Sequence, residues 1–282
     1  DEIIVKDNKA CGVRMTTGEE IFAPQIVSTA GIFNTYNSLL PENVLKQNEL
    51  QRYLDPLERS TGHLCLYVGF NHSKSELNLG KSNYWIYPDY DHDANVEAFR
   101  KDRNAEFPVA YISFPTAKSP DWEERHPDVS TVEIITAAPY DWFNKWENER
   151  WKKRGKDYDA LKEEFSQRLL EHLYKQEPQL KGKVDYYELS TPLSTKHFCN
   201  YEKGELYGVD HTVNRFNQKY LRPQTPIKNL FLAGQDIVSV GVAGALASGM
   251  ITASVMTRKN LISRLYDSKW QFYKSLMGFK VG

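Results

Sequence analysis

Residues 230–256, LFLAGQDIVSVGVAGALASGMITASVM, constrain this chain more than any other stretch. The run opens on Leu230-Phe231-Leu232-Ala233, which reads as a short strand, and breaks at Gly234-Gln235-Asp236. It becomes regular again near Gly241 as a helix rich in glycine and alanine. Residues 237–256 carry no charged side chain, and roughly 20 apolar residues is the length a bilayer core demands. Gly241, Ala245, Gly249 and Ala253 recur at every fourth position, the small-residue face found at membrane helix contacts. Yet the run also holds three serines, one threonine and three glycines, and few large apolar side chains. Close packing against a backbone or a flat ring accounts for the small face equally well. The stretch is read as a buried helix of a soluble fold rather than a membrane span.

A strand, a glycine break, one short acid and a small-residue helix together suit a ligand that carries a phosphate or a flavin. Helix N-termini present unpaired N–H groups, and ligands bind at the carboxyl ends of strands in α/β sheets. Composition narrows the partners. Formal charge is −1 and the basic residues do not gather into one patch, which excludes nucleic acid as a partner class. The 13% of aromatic residues suits an apolar ligand pocket and, equally, an ordinary core. Cys11, Cys65 and Cys199 are far apart, without a CxxC pair or a histidine at ligand spacing. They are expected to be buried apolar thiols, with no metal site and no disulfide framework. The chain starts without an initiator methionine, a signal peptide or a basic leader, at Asp1-Glu2-Ile3-Ile4-Val5. That reads as the middle of a sheet, so the chain is expected to be a piece of a longer protein.

Two short strands around Ile3–Val5 and residues 11–15 are joined by the turn Asp7-Asn8-Lys9. Gly18 turns the chain again, and Gln25-Ile26-Val27-Ser28 forms an apolar strand ending at Thr29-Ala30-Gly31. Small residues there leave room for a ligand or another backbone. Helical character is expected at 34–40 and 44–57, followed by strands at 63–70, 84–87, 109–114 and 131–137. Tyr84-Trp85-Ile86-Tyr87 places alternate aromatics on two faces and is read as sheet core or as the wall of an apolar pocket. Asp157 or Asp159 caps a helix with the stripe Tyr158, Leu161, Phe165, Leu169 and Leu173, ended by Pro178. The basic run 151–156 is read as a solvated helix end, since acids flank it on both sides. A strand near 184–189 and a glycine-bracketed turn at 204–208 precede a polar connection back to Leu230. Beyond Lys259, apolar and aromatic residues alternate with lysines, a pattern for a docked terminal helix or for one lying on a membrane surface.

Asn229-Leu230-Phe231-Leu232-Ala233-Gly234-Gln235-Asp236, followed by Gly241-Val242-Ala243-Gly244-Ala245-Leu246, resembles the carboxyl-terminal flavin motif of the phytoene desaturase and carotenoid isomerase-like FAD-dependent oxidoreductases. Residues 26–36 with Leu39-Leu40-Pro41 resemble that family's strand and following helix. Phe114-Pro115-Thr116-Ala117-Lys118, Pro120-Asp121-Trp122-Glu123 and Tyr140-Asp141-Trp142-Phe143 with Trp146 resemble its cap segments, and Tyr207-Gly208-Val209-Asp210-His211 its Tyr-Gly element. The match runs in order over nearly the whole chain. The family's amino-terminal GxGxxG fingerprint is absent from these residues, so the chain is expected to supply only part of a cofactor site.

The resemblance implies an α/β fold. A partial, Rossmann-type FAD-binding domain is built from separated segments, 1–40 and 196–260, around an inserted α+β antiparallel-sheet substrate domain at 41–195, with 261–282 as a terminal helix or tail. It implies a cofactor site made by Gly234, Gln235, Asp236, Gly241, Val242, Ala243 and Gly244, with Ala30 and Gly31 near the adenine end. Gly234 would let the backbone pass the sugar-phosphate part. Asp236 would hydrogen bond a hydroxyl or an amide, because a carboxylate repels phosphate. The first amides of the helix at Val242, Ala243 and Gly244 would face the flavin pyrimidine. Tyr207 stands as a proton donor or as a packing residue, and no catalytic acid is named. The implied activity is saturation of the 13,14 double bond of all-trans-retinol, with FAD as cofactor and NADPH or NADH as the source of electrons. The implied partners are a retinoid or other polyene and a membrane surface, at the endoplasmic reticulum membrane in a peripheral or lumenal position. The alternatives are carotenoid desaturation or cis–trans isomerisation on the same scaffold. A third is a non-catalytic binding protein of the Rab-escort or GDP-dissociation-inhibitor kind.

Overall fold

The structure is a computed structural model that describes residues 1–266 and Lys269. Ten strands occur in chain order among the described residues. They are β1 (Glu2–Lys6), β2 (Lys9–Arg14), β3 (Glu20–Phe22), β4 (Ile26–Ser28), β5 (His63–Phe70), β6 (Tyr84–Ile86), β7 (Ala110–Ser113), β8 (Ser130–Ala137), β9 (Tyr186–Ser190) and β10 (Leu230–Leu232). The helices used below are α1 (Glu42–Gln47), α2 (His92–Lys101), α3 (Lys156–Gln176), α4 (Pro192–Cys199), α5 (Val213–Asn217) and α6 (Gly241–Thr257). They make a mixed α/β chain of two compact units, one from Asp1–Ser60 together with the residues from Tyr207 onward, the other Thr61–Leu206.

In the first unit, β1, β2 and β3 form an antiparallel meander. Asp7 and Asn8 both take positive φ, 50° and 56°, as a tight two-residue hairpin turn requires. β4 leaves that meander and pairs in parallel with β10, Leu230 opposite Ile26 and Leu232 opposite Ser28. The core of the unit gathers Ile3, Ile26, Ile32, Leu50, Leu54, Leu230 and Leu232. Because Val44, Leu50, Leu54 and Leu57 pack into this core, the unit continues to residue 60 and not to the residue 40 expected from the sequence. At the other edge the second unit runs on through α4 to Leu206, past the expected residue 195. Residues 261–266 are helical, and the rest of the expected terminal tail lies outside the described residues.

The second unit is a five-stranded antiparallel sheet in the order β6-β7-β8-β5-β9. Strand alternation divides β5 cleanly. Leu64, Leu66, Val68 and Phe70 enter the core with Ile112, Ile134 and the α3 stripe Leu161, Phe165, Leu169 and Leu173, while His63 and Tyr67 point to the other face and line a cavity. α3 starts after Gly155, which has φ 85° and gives no side-chain cap. Asp157 and Asp159 lie in the first turn, where their charge suits the helix dipole, so neither is the cap the sequence indicated. Tyr84 and Ile86 pack on the core edge, whereas Trp85 and Tyr87 are exposed and Trp85 meets Tyr111 at 4.5 Å between ring centroids. α2, α4 and α5 were not legible as helices. α2 relies on an Asp91 cap that accepts the Ala94 amide, and α4 on a Thr191–Ser194 capping box.

Candidate functional site

Parallel pairing of β4 with β10 brings two distant loops out at the same end of the strands. The Ala233 amide donates to the Ser28 carbonyl at 2.9 Å. Beyond that bond β4 turns through Thr29-Ala30-Gly31 and β10 through Gly234-Gln235-Asp236. Gly31 and Gly234 have φ of 87° and 102°, a region that side chains with a Cβ rarely occupy. A Cβ on Gly234 would meet nothing nearer than the Thr29 carbonyl oxygen at 3.6 Å. Glycine is needed there for the turn itself, not to relieve crowding by the protein.

Asp236 is 3% exposed, and both of its oxygens accept backbone amides. Oδ2 takes the Ile32 N–H at 2.8 Å and Oδ1 takes the Val209 N–H at 3.0 Å. The amides that the sequence left open as partners of this acid are therefore the protein's own. Its carboxylate ties the helical turn after β4 and the Gly208-Val209 segment to the end of β10. The nearby cation is Arg215 of α5, also 3% exposed, which sequence reading left inside a polar connection. Its guanidinium donates to the Gln235 carbonyl at 2.7 Å and to the Val209 carbonyl. Burial pushes the Arg215 pKa down from its ordinary value, while the charges of Asp236 and Asp210 oppose that shift. No apolar periodicity marks this arginine, and only the fold shows that it closes on the Gln235 and Val209 carbonyls.

α6 is held on β10 by a stripe one position away from that of the expected small face. Gly244, Ser248 and Thr252 are its buried residues. Ser248 Oγ accepts the Gly234 amide at 2.9 Å and Thr252 Oγ1 donates to the Leu232 carbonyl at 2.9 Å. A Cβ on Gly244 would stand 1.9 Å from the Ser239 carbonyl oxygen, whereas Gly249 has open space around it. α6 is therefore not a helix buried all round, since Val242 is 88% and Leu246 67% exposed. Among the described residues no helix is long and apolar enough to cross a membrane. Val240 gives the helix no side-chain cap. The first-turn amides, which have no acceptor within a helix, therefore open beside Gly241, Val242 and Ala243. His211 lies at this entry, its Nε2 3.4 Å from the Val240 nitrogen and 3.4 Å from Ser239 Oγ. Burial, then the charge of Arg215, holds the His211 pKa below the ordinary imidazole value.

The fold thus collects Ala30, Gly31, Gly234, Gln235 and Asp236 at one end of the parallel pair and ties the α6 residues Gly241, Val242, Ala243 and Gly244 to that end through Ser248. Tyr207 and Gly208 belong to the same unit. The Tyr207 amide donates to Ser60 Oγ at 2.9 Å and the Gly208 carbonyl accepts the Ser60 amide at 2.8 Å, with the Tyr207 side chain exposed.

The second unit holds a cavity of about 640 Å³ on the sheet face opposite its core, within the range of about 300–1,000 Å³ for small-molecule sites. Its aromatic wall is Tyr67, Tyr186, Trp151 and Phe198, with Leu189 and Leu206 adding apolar surface. Trp85, Tyr87 and their strand take no part in it. Trp151 and Lys152, read from the sequence as a solvated helix end, lie on its lining.

The architecture, a parallel strand pair with glycine turns at its carboxyl ends in one chain with an antiparallel five-stranded unit, has a counterpart among solved structures. An oxidoreductase from Methanosarcina mazei shares the fold with a TM-score of 0.51 at 13% identity, over 91% of this chain and 48% of that one. No protein-family model matches the chain. In sequence, the chain is similar to the all-trans-retinol 13,14-reductases: it is 37% identical to the one from Danio rerio over 272 residues, 93% of this chain and 45% of that protein. It is 32% identical to the inactive all-trans-retinol 13,14-reductase of the same fish, over 95% of this chain and 46% of that protein. The chloroplastic prolycopene isomerase of Arabidopsis thaliana is 24% identical over 94% of this chain and 42% of its own length. The chain spans about half the length of the curated relatives it matches. The family resemblance carried by residues 229–246 and the cap segments is borne out across the chain.

Proposed function

We propose that this chain is part of an FAD-dependent oxidoreductase that saturates the 13,14 double bond of all-trans-retinol to give 13,14-dihydroretinol. The observation that carries the reading is the meeting of Gly31, Gly234 and the open amino terminus of α6 at the carboxyl end of one parallel strand pair. This occurs in a chain related over 93% of its length to a retinol 13,14-reductase. The donor set fits a flavin. Unpaired amides at the start of α6 match its ring carbonyls, and the left-handed turns at Gly31 and Gly234 bring bare backbone to the surface. The pyrophosphate end has no GxGxxG cradle in these residues, so they fit one part of the cofactor.

When bound, FAD supplies the hydride that a carbon–carbon double bond accepts, and NADPH or NADH restores its electrons. The chain's own residues bind and orient. The Val242 and Ala243 amides with the positive end of α6 would hold acceptor atoms of the ring, a contribution of about 0.3–2 kcal/mol. Asp236 and Arg215 hold the loops around that position rather than touching the cofactor through their side chains. In the second unit, Tyr67, Tyr186, Trp151 and Phe198 receive the polyene and keep water from it. A polyene alcohol partitions into lipid, which supports a membrane-associated protein, and the family resemblance supports the endoplasmic reticulum membrane, in a peripheral or lumenal position.

Incubating the full-length protein with retinol and with carotenoids, followed by product analysis, tests the reading. Dihydroretinol is the expected product. Products from carotenoids alone would replace the reading with desaturation or isomerisation, the activity class to which the Arabidopsis relative points. Full-length protein that stays colourless after added FAD would make it a binding protein of the Rab-escort kind. Flavin without turnover of either substrate would place it with the inactive relative.

A further inference from the structure

The cavity of the second unit sets polar side chains among its aromatic and apolar surface, and one of these, His63, has a ring nitrogen that lacks a partner inside the protein. His63 opens β5, opposite Ala137 of β8, and its ring lines the cavity. Its Nδ1 is buried and has no hydrogen-bond partner, although buried polar atoms are paired in the great majority of cases. Two of the other polar liners, Glu188 and Ser194, are engaged. The Glu188 carboxylate accepts the Tyr186 hydroxyl at 2.7 Å and meets Lys162 at 3.5 Å, and Ser194 Oγ accepts the Thr191 amide at 3.2 Å. Burial holds the His63 pKa below its ordinary value, so the ring is neutral and carries one proton. With no acceptor at Nδ1 to receive that proton, the favoured tautomer places it on Nε2.

We propose that His63 is the polar anchor of this cavity, presenting Nε2–H to the oxygen of a terminal hydroxyl on a polyene ligand. The aromatic residues Tyr67, Tyr186, Trp151 and Phe198 contact the chain of that ligand without reading its end group. His63 is then the residue that distinguishes a polyene alcohol from a polyene hydrocarbon. This inference rests on the retinol reading above and sharpens it. In retinol the hydroxyl-bearing carbon adjoins the 13,14 double bond, so one hydrogen bond at the hydroxyl fixes the position of the reacting carbons. His63 is a positioning and specificity residue in this scheme, not an acid or base.

The test uses the full-length protein and measures binding by retinoid fluorescence, with retinol and with the hydrocarbon analogue that carries a methyl in place of the hydroxymethyl group. In His63→Leu, retinol is expected to bind about tenfold more weakly while the hydrocarbon binds as before, one hydrogen bond being lost for the alcohol only. His63→Gln, which keeps a donor, restores most of the difference. Equal weakening of both ligands, or of neither, would overturn the proposal, because His63 would then only fill space. If the unaltered protein bound the hydrocarbon and not retinol, His63 would have no hydroxyl to anchor and the proposal would fall. If the unaltered protein bound neither retinoid, the retinol reading itself would fail, and the proposal with it.

Discussion

A Cβ on Gly208 would stand 2.3 Å from Oδ1 of Asp236. Gly208 has φ 66°, and the next amide along, that of Val209, donates to this same oxygen at 3.0 Å. The carboxylate can reach the Val209 amide because residue 208 has no side chain, and one buried acid thereby joins the Tyr-Gly element to the turn after β10.

Gly208→Ala is expected to destabilise the fold by about 2 kcal/mol or more, combining a clash with a left-handed backbone. Asp236→Ala leaves the Ile32 and Val209 amides unpaired, at about 1–3 kcal/mol for each buried group. Urea denaturation of the variants beside the parent chain measures both losses. Parent-like midpoints would show that this junction is not where the unit is held.

Two glycines of α6 should behave in opposite ways. Gly244→Ala drives a methyl into the Ser239 carbonyl, and should lower stability by about 1–3 kcal/mol and loosen flavin retention in the full-length protein. Gly249→Ala meets nothing within 4 Å, and should be neutral or stabilise by up to about 1 kcal/mol through helix propensity. Thermal melts rank the pair, and the reverse order would mean that the 241/245/249/253 stripe is the packed one.

Cysteine reactivity follows burial. Cys65 is buried and its thiol is pushed up to about 12, chiefly by burial, so at pH 8 little thiolate is present to react. Cys199, expected from the sequence to be a buried thiol, is exposed and lines the cavity. N-ethylmaleimide followed by peptide mass spectrometry should find Cys199 labelled well before Cys65, and saturating retinol should slow labelling of Cys199. Labelling of Cys199 at the same rate with and without retinol would argue that the ligand sits elsewhere.

Acid should weaken the fold before neutral pH does. Burial holds His63 and His172 below the ordinary imidazole value of 6.5. The unfolded chain takes up protons near that pH that the folded chain refuses, so this stability is complete above 6.5 and is lost as the pH falls below it. Tm should be level from pH 7.5 to 6.5 and drop towards 5.5, with a shallower drop in His172→Phe, whose ring can keep the contact with Phe107 at 5.6 Å between centroids. An equal slope in both proteins would remove His172 from the account.

The sequence by itself determined the local elements whose cause is local. The strands β5 and β8, the stripe of α3, the Asp7-Asn8 turn and the glycine break after Leu230 were all legible, because periodicity and turn chemistry act over a few residues. The residues 26–31 and 229–246 also carried the family. Tertiary structure decided what lies opposite what. Only the parallel register of β4 on β10 sets Gly31 beside the end of β10, and only the docking of α6 decides that Gly244, Ser248 and Thr252, not Gly241, Ala245, Gly249 and Ala253, form its packed face. Both stripes have the same spacing of four small or short residues, so the sequence alone could not choose between them. The choice came from two hydrogen bonds, Gly234 to Ser248 and Thr252 to Leu232, whose partners lie on another element. Arg215 was hidden for the same reason. A charged residue in a polar stretch is ordinary until the fold closes over it and leaves it bonded to the Gln235 and Val209 carbonyls.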